Sequence, residues 1–278
     1  MSWVRAILLL PPNPPEANVS HYQVVVVLPK PPDTSAGAAL GSALLRELLP
    51  LLGEPDYADE DTDPPGRWWD RWMIGGRFEN AFLCTDPDDP RVLPAEDGDP
   101  RLVTAAPASL LDLDAQREAA AGRAADRWDR ATGILRRHPG TEALSAFLLR
   151  GGERAGLARP GATAGRTAPA ERTAALKAYR AQDAVRELGG AGLTHFAGCA
   201  VEHYSTPREE FVEQARRGAV PGWALIDTDG TWYAVEHLPG AGDGPEARQA
   251  RREYLRRANA LLDALPGDAY LVMADLHA

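Results

Sequence analysis

The sequence predicts a single α+β domain, with an antiparallel or mixed sheet formed by N- and C-terminal strands and a helical insertion at about residues 108–190. Three observations lead to this fold class. A β-branched run begins at residue 21, a strand-like run ends the sequence, and helical periodicity fills the region between them. One form that this pattern allows is a ferredoxin-like sandwich.

The first elements are a strand and a helix. His21 to Leu28 reads HYQVVVVL, a β-branched run that ends at Pro29 and whose continuous apolar character predicts burial on both faces. A helix is expected from about Ser35 to Leu49, because Asp33, Thr34 or Ser35 can cap its start and Pro50 and Gly53 can close it.

The aromatic block from Arg67 to Leu83 predicts a strand pair that turns at Gly75-Gly76. Helical patterns follow at about 110–137 and 171–188, and Thr206 can cap a further helix that runs to about Arg217. Two apolar runs on either side of Asp229-Gly230 predict a hairpin. A last helix at about 246–265 precedes the final strand, AYLVMADLH.

Composition excludes several classes of function. The 278 residues contain 30 Lys and Arg against 40 Asp and Glu, a formal charge of −10, which argues against general nucleic-acid binding. No apolar run approaches the roughly 18 residues that cross a bilayer, so no membrane partner is expected. The two cysteines, Cys84 and Cys199, have no CxxC spacing and indicate reduced thiols in a cytoplasmic protein. The oligomeric state is left open.

The terminal strand carries the first candidate site. Alternation along the strand puts Asp275 and His277 on one face, where a carboxylate and an imidazole can bind a divalent metal ion or act as an acid/base pair. If the first strand lies beside the last one, His21 joins them as a third metal ligand. The alternative is that these polar residues are the solvated end of a strand.

The second candidate is the aromatic block. A functional interpretation has Trp69 and Trp72 forming a flat wall for a substrate, near the carboxylate of Asp70. The turn at Gly75 and Gly76 would let backbone N–H groups approach an anionic group, and Arg77 would bind a phosphate or carboxylate. The alternative is a tryptophan-rich core hairpin in which the arginine and the aspartate are paired.

Four segments, WWDRWMIGGRF, RAADRWDRATGILRRHPG, FVEQARRGAVPGWALIDTDGTWYA and LLDALPGDAYLVMADLH, together resemble a family of uncharacterised actinobacterial and phage proteins. Members carry a W-D-W-x-x-I-G-G-R-W-like motif and a C-terminal V-V-D-x-H-like strand, although Phe78 stands here where the motif often ends in Trp. The resemblance implies an N-terminal extension at 1–19, a domain at 20–278, and no particular reaction. It favours His21, Asp70, Arg77, Asp275 and His277 as site residues.

Two classes of function follow from these candidates. In the first, the protein is an enzyme that handles an anionic small molecule bearing a phosphate or carboxylate, with metal-assisted hydrolysis or group transfer at Asp275, His277 and Asp70. In the second, it is a binding module, phage- or defence-related, that recognises a ligand or a protein through the tryptophan block. A third interpretation makes all of these residues structural.

Overall fold

A computed structural model describes residues 21–34, 39–53, 69–79, 81–96, 98–156, 169–194, 199–234 and 245–277. The strands are β1 (His21–Leu28), β2 (Arg71–Ile74), β3 (Phe82–Leu83), β4 (Leu93–Pro94), β5 (Leu102–Pro107), β6 (Ala224–Ile226), β7 (Trp232–Ala234) and β8 (Tyr270–His277). The helices are α1 (Leu40–Leu52), α2 (Leu113–Arg137), α3 (Leu144–Gly156), α4 (Pro169–Arg180), α5 (Asp183–Gly190), α6 (Ala200–His203), α7 (Arg208–Arg217) and α8 (Pro245–Asp263). None of the helices in these ranges has both the length and the apolar character needed to cross a membrane.

The eight strands form one sheet in the order β3-β5-β8-β1-β6-β7, with β2 on β8 and β4 on β5. One edge of β8 pairs with β1 along its whole length, whereas the other edge is shared by β5 and β2. β1 runs antiparallel to β8 and parallel to β6, so the sheet is mixed. This directly adjacent parallel pair excludes the purely antiparallel form of the sheet and confirms the mixed one, within the predicted α+β fold.

Both faces of the sheet are covered, which explains the continuous apolar character of β1 and β8. On one face, Val24 and Val26 belong to the same buried cluster as Leu44, Leu48 and Leu52 of α1. On the other face, Val25 and Val27 belong to the same buried cluster as Leu255, Ala258 and Leu262 of α8. The two terminal strands therefore lie in the centre of the core, as their composition predicts.

Contacts divide the chain into two compact units, one formed by Met1–Ala119 with Arg216–Ala278 and the other by Ala120–Ala215. The described residues of the second unit are helices and their connections, and the helical insertion was expected at about 108–190. Its largest buried cluster includes Ile134, Leu188 and Tyr204, and a smaller one forms around Tyr179.

Several boundaries differ from the sequence prediction. The described part of α1 begins at Leu40 and continues through Pro50 to Leu52, where Gly53 at φ +75° ends it. The helical stretch expected at 171–188 is two helices, α4 and α5. The proposed extension at 1–19 lies outside the described residues.

The strand pair predicted in the aromatic block is wrong. β2 and β3 do not pair with each other, because β2 pairs with β8 and β3 pairs with β5. The glycines between them begin a short 3-10 turn, Gly76–Phe78, that takes the chain from one strand neighbour to another. The hairpin predicted at Asp229-Gly230 is confirmed, since β6 and β7 pair antiparallel across it.

Candidate active site

Three neighbouring strands bring the candidate residues together at one end of the sheet. β8 lies between β1 and β2 there, and the pairing register aligns their residues in two rows. The first row is His21, His277 and Arg71, and the second is Gln23, Asp275 and Met73. Directly paired residues share a face of a sheet, as do residues two apart along a strand, so both rows lie on the same face.

The local pattern of β8 explains why polar side chains occur on this face. Leu271 and Met273 belong to the buried cluster that includes residues of α8, and Asp275 and His277 continue the same face beyond them. Both polar side chains are nevertheless buried. The predicted common orientation of Asp275 and His277 is therefore observed. The first strand also lies beside the last, with 5.1 Å between the ring centroids of His21 and His277.

Asp275 forms the first histidine–carboxylate pair. Its Oδ1 lies 2.8 Å from Nδ1 of His21, and its Oδ2 accepts the backbone N–H of Arg77 at 3.0 Å. The side chain of Asp275 is only 1% exposed. Two hydrogen bonds fix the position of this buried carboxylate, so Asp275 holds the His21 ring in one orientation.

The Gly75-Gly76 turn lets the backbone approach this carboxylate. Both glycines have positive φ, +73° and +54°, and a Cβ at Gly76 would lie 2.6 Å from Oδ2 of Asp275. The sequence predicted that the turn approaches an anionic ligand through backbone N–H groups. That prediction needs correction, because the anion held by this turn is a carboxylate of the protein itself.

His277 forms the second pair. Its Nδ1 lies 2.5 Å from Oδ1 of Asp70, and the Asp70 backbone N–H donates to the carbonyl oxygen of His277 at 3.0 Å. Partial burial raises the pKa of Asp70, but the hydrogen bond and charge of His277, together with the charge of Arg71, outweigh it. The net result is a pKa below the ordinary value, so Asp70 is ionised at neutral pH.

These contacts define which ring nitrogens remain for chemistry. A carboxylate occupies Nδ1 of each histidine, which favours a proton on Nδ1 and leaves Nε2 for proton transfer; in the neutral ring this tautomer has its lone pair on Nε2. Nη2 of Arg71 lies 3.4 Å from Nε2 of His277, and a guanidinium can only donate, so this contact favours the same tautomer. The pocket at this point has a volume of about 330 Å³ and is lined by His21, Arg71, Trp72, Met73, Arg77, Asp275 and His277.

The tryptophans do not form the predicted ligand-binding wall. Trp69 and Trp72 are buried on the opposite face of the sheet, in the same cluster as the α1 leucines. Their indole N–H groups donate to the carbonyl oxygens of Leu52 and Gly53, at the end of α1. Trp69 also stacks on Trp232 with 5.2 Å between ring centroids. Both indoles therefore belong to the core, which is the alternative that the sequence left open.

Arg77 contributes to the site in two ways. Its backbone N–H holds Asp275, and its exposed side chain lines the pocket. Among the described residues no carboxylate forms a salt bridge with the Arg77 guanidinium, so the alternative in which Arg77 pairs with Asp70 is not observed. Arg71 and Arg77 thus place two guanidinium groups at the pocket, which the carboxylate of Asp275 also lines.

A metal ion bound by His21, Asp275 and His277 remains a prediction. Both Asp275 oxygens are used within the protein, and Arg71 places a positive charge beside Nε2 of His277. Within the described ranges no group of three or more His, Cys, Asp and Glu side chains is arranged to hold a metal ion.

Sequence reasoning missed Arg71 and Met73. Both lie in the aromatic block, whose functional interpretation rested on its tryptophans and glycines. The signal was present as strand alternation, because residues 71 and 73 must face away from buried Trp72. Once β2 is recognised as a strand, Arg71 and Met73 fall on its exposed face.

Comparison of the chain with protein-family models, with curated proteins and with solved structures finds no match in any of the three.

Proposed function

We propose that this protein is an enzyme that catalyses hydrolysis or group transfer on an anionic small molecule, using His21 and His277 as an acid/base pair. One observation carries the proposal: the two imidazole rings lie 5.1 Å apart in one pocket, and a carboxylate occupies Nδ1 of each ring. A histidine held in this way has one defined tautomer and one nitrogen left for proton transfer.

The two histidines take different roles in the proposed reaction. Nε2 of His277 faces a donor, Arg71, and therefore carries the lone pair of a general base. His21 is the general acid in this proposal: it starts the step with a proton on both ring nitrogens, and its Nδ1–H donates to the buried carboxylate of Asp275 while its Nε2–H is available to the leaving group.

The proposed step moves two protons. Water loses a proton to Nε2 of His277 while its oxygen bonds to the electrophilic phosphorus or carbonyl carbon. The bond from that atom to the leaving oxygen breaks, and the leaving oxygen takes the proton of His21. Exchange with solvent then restores both rings. In group transfer, an acceptor hydroxyl replaces the water.

Arg71 and Arg77 bind the anionic group of the substrate in this proposal. Both side chains are exposed and line the same pocket as the histidines. A planar guanidinium forms paired hydrogen bonds with phosphate or carboxylate oxygens, and a positive charge also stabilises negative charge that develops in the transition state.

The competing interpretation, a binding module built on the tryptophan block, loses its main support. The indoles of Trp69 and Trp72 are buried and hydrogen-bonded within the protein, so they offer no flat surface to a partner. The proposal includes a cytoplasmic location, which is supported by two free cysteines, Cys84 and Cys199.

The test is an activity screen of the full chain against phosphate monoesters, phosphate diesters and carboxylate esters. The kcat of protein variants is then measured on the best substrate. We expect His21→Ala and His277→Ala each to lower kcat roughly 10²- to 10⁴-fold. The matched control is His138→Ala, which removes a histidine that also pairs with a carboxylate, Glu187 at 2.8 Å, and should leave kcat unchanged. Circular dichroism checks that each variant is folded.

The same assay tests the metal prediction. We expect a chelator to leave kcat unchanged and elemental mass spectrometry to find less than stoichiometric metal. Near-stoichiometric metal that is absent from the folded His21→Ala, His277→Ala double variant would instead establish metal-assisted chemistry. If the two single variants and the His138→Ala control retain equal activity, the acid/base proposal is wrong.

A further inference from the structure

Met73 is an exposed apolar side chain in a pocket that is otherwise polar or charged apart from Trp72. It is 52% exposed and lies in the second row beside Asp275. Few large hydrophobic residues in the described part of the chain are this exposed, and Leu45 at 38% and Leu149 at 67% are the others. An apolar group left in water costs free energy, and in a binding pocket it regains this free energy by contacting a ligand.

The position of Met73 relative to the charges limits what such a ligand can be. Met73 lies two residues along β2 from Arg71 on the same face, which separates their Cα atoms by roughly 7 Å. A ligand that contacts both side chains must carry an anionic group and an apolar group side by side, within about this distance. The pocket volume of about 330 Å³ is at the small end for ligand sites and suits a molecule of that size.

We propose that Met73 is a specificity-determining residue and that the substrate carries an aromatic group directly beside its anionic group. The inference rests on the proposed function and adds the substrate class to it. The thioether of methionine is polarisable and contacts aromatic rings favourably, while its flexible chain adapts to their shape. Arg71 and Arg77 bind the anionic end of the same molecule.

The test compares two phosphate monoesters that differ only in the group next to the phosphate, phenyl phosphate and methyl phosphate. Binding of each to the full chain is measured by isothermal titration calorimetry, which does not require turnover. We expect phenyl phosphate to bind at least about fivefold more tightly than methyl phosphate, a ratio that one such contact can supply.

Three variants assign this preference. Met73→Gln keeps the length of the side chain and removes its apolar end, so we expect the ratio to fall to about two or less while methyl phosphate binds as before. Met73→Leu should retain most of the preference. The control is Leu45→Gln, a partly exposed apolar residue on α1, whose leucines cover the opposite face of the sheet; it should change neither affinity.

The outcomes separate the two proposals. If both phosphates bind equally well to the wild-type protein, or if Met73→Gln leaves the ratio unchanged, the role of Met73 is disproved and the acid/base proposal stands. If neither phosphate binds to the wild-type protein, the role of Met73 proposed here is disproved, and the activity screen with the histidine variants decides the acid/base proposal separately.

Discussion

The two histidine–carboxylate pairs have the same type of hydrogen bond, from Nδ1 to a carboxylate oxygen, but their carboxylates differ in exposure to solvent. In the His21–Asp275 pair the carboxylate is 1% exposed and a backbone N–H holds its second oxygen. In the His277–Asp70 pair the carboxylate is 61% exposed, and water competes with the histidine for it. Burial increases the free-energy cost of losing a hydrogen-bond partner, whereas exposure to solvent screens the attraction between histidine and carboxylate.

The same histidine–carboxylate pairing therefore serves two purposes in this pocket. Asp275 is part of the core and positions both its histidine and the Gly75-Gly76 turn, so its loss affects structure as well as chemistry. Asp70 positions His277 from the surface, so its loss should affect chemistry more than stability. The different exposure of the two carboxylates thus gives them different expected roles.

The sharpest way to test this comparison is to replace each carboxylate with its amide. In Asp275→Asn the amide nitrogen faces either Nδ1–H of His21 or the backbone N–H of Arg77, so one of these two donors loses its acceptor. We expect kcat to fall roughly 10²- to 10⁴-fold and the free energy of unfolding to fall by about 1–3 kcal/mol. In Asp70→Asn we expect a loss of kcat of about tenfold and a stability change under about 1 kcal/mol.

Steady-state kinetics and urea unfolding measure these two effects. Equal losses of kcat and of stability in Asp275→Asn and Asp70→Asn would contradict the assigned difference between the pairs.

Gly76→Ala tests how the glycine turn supports the His21–Asp275 pair without substituting either partner. The added Cβ would lie 2.6 Å from Oδ2 of Asp275, on a backbone at φ +54°. We expect a loss of about 2–4 kcal/mol of unfolding free energy, from strain and the clash together. The control is Gly230→Ala, which has φ +82° and an ordinary nearest contact at 3.4 Å, and should lose only the strain, about 1–2 kcal/mol.

Thermal and urea unfolding of the two glycine variants give this comparison. A Gly76→Ala variant no less stable than Gly230→Ala would mean that the carboxylate moves freely, against the role given to the turn.

The smallest expected effect is the pH dependence of the exposed pair. The pKa of Asp70 is lower in the folded protein than its ordinary value of 3.8. The stabilisation from Asp70 is therefore present above that value and is lost as the pH falls through the lower folded-state pKa. Because the carboxylate is mostly exposed, we expect less than about 1 kcal/mol, and less again at high salt.

Urea unfolding of the wild type and of Asp70→Asn at about pH 6 and about pH 2 measures this contribution. The two proteins should differ at the higher pH and converge at the lower one. A difference that grows as the pH falls would show that the linkage has the opposite sign.

Local patterns in the sequence predicted much of this structure. Alternation along the last strand put Asp275 and His277 on one face, and the pattern at Asp229-Gly230 predicted the hairpin. These predictions succeed because each depends on residues close together in the chain.

Long-range pairing could not be predicted in the same way. The pairing of His21 with His277 was a conditional expectation, because strand order depends on the whole core. The glycine turn was expected to meet a ligand, since spacing alone cannot reveal a carboxylate 198 residues away. The tryptophans were assigned to a ligand because the sequence did not place the end of α1 beneath them.

The pairing of β1 with β8 has a consequence for how activity arises during synthesis. His21 and Asp275 are 254 residues apart, so this histidine–carboxylate pair cannot assemble until β8 has left the ribosome and entered the sheet. Closing so long a loop contributes to slow folding, and it happens late. If the proposed acid/base chemistry is correct, a polypeptide released before residue 275 should therefore be inert however much of its sheet has formed.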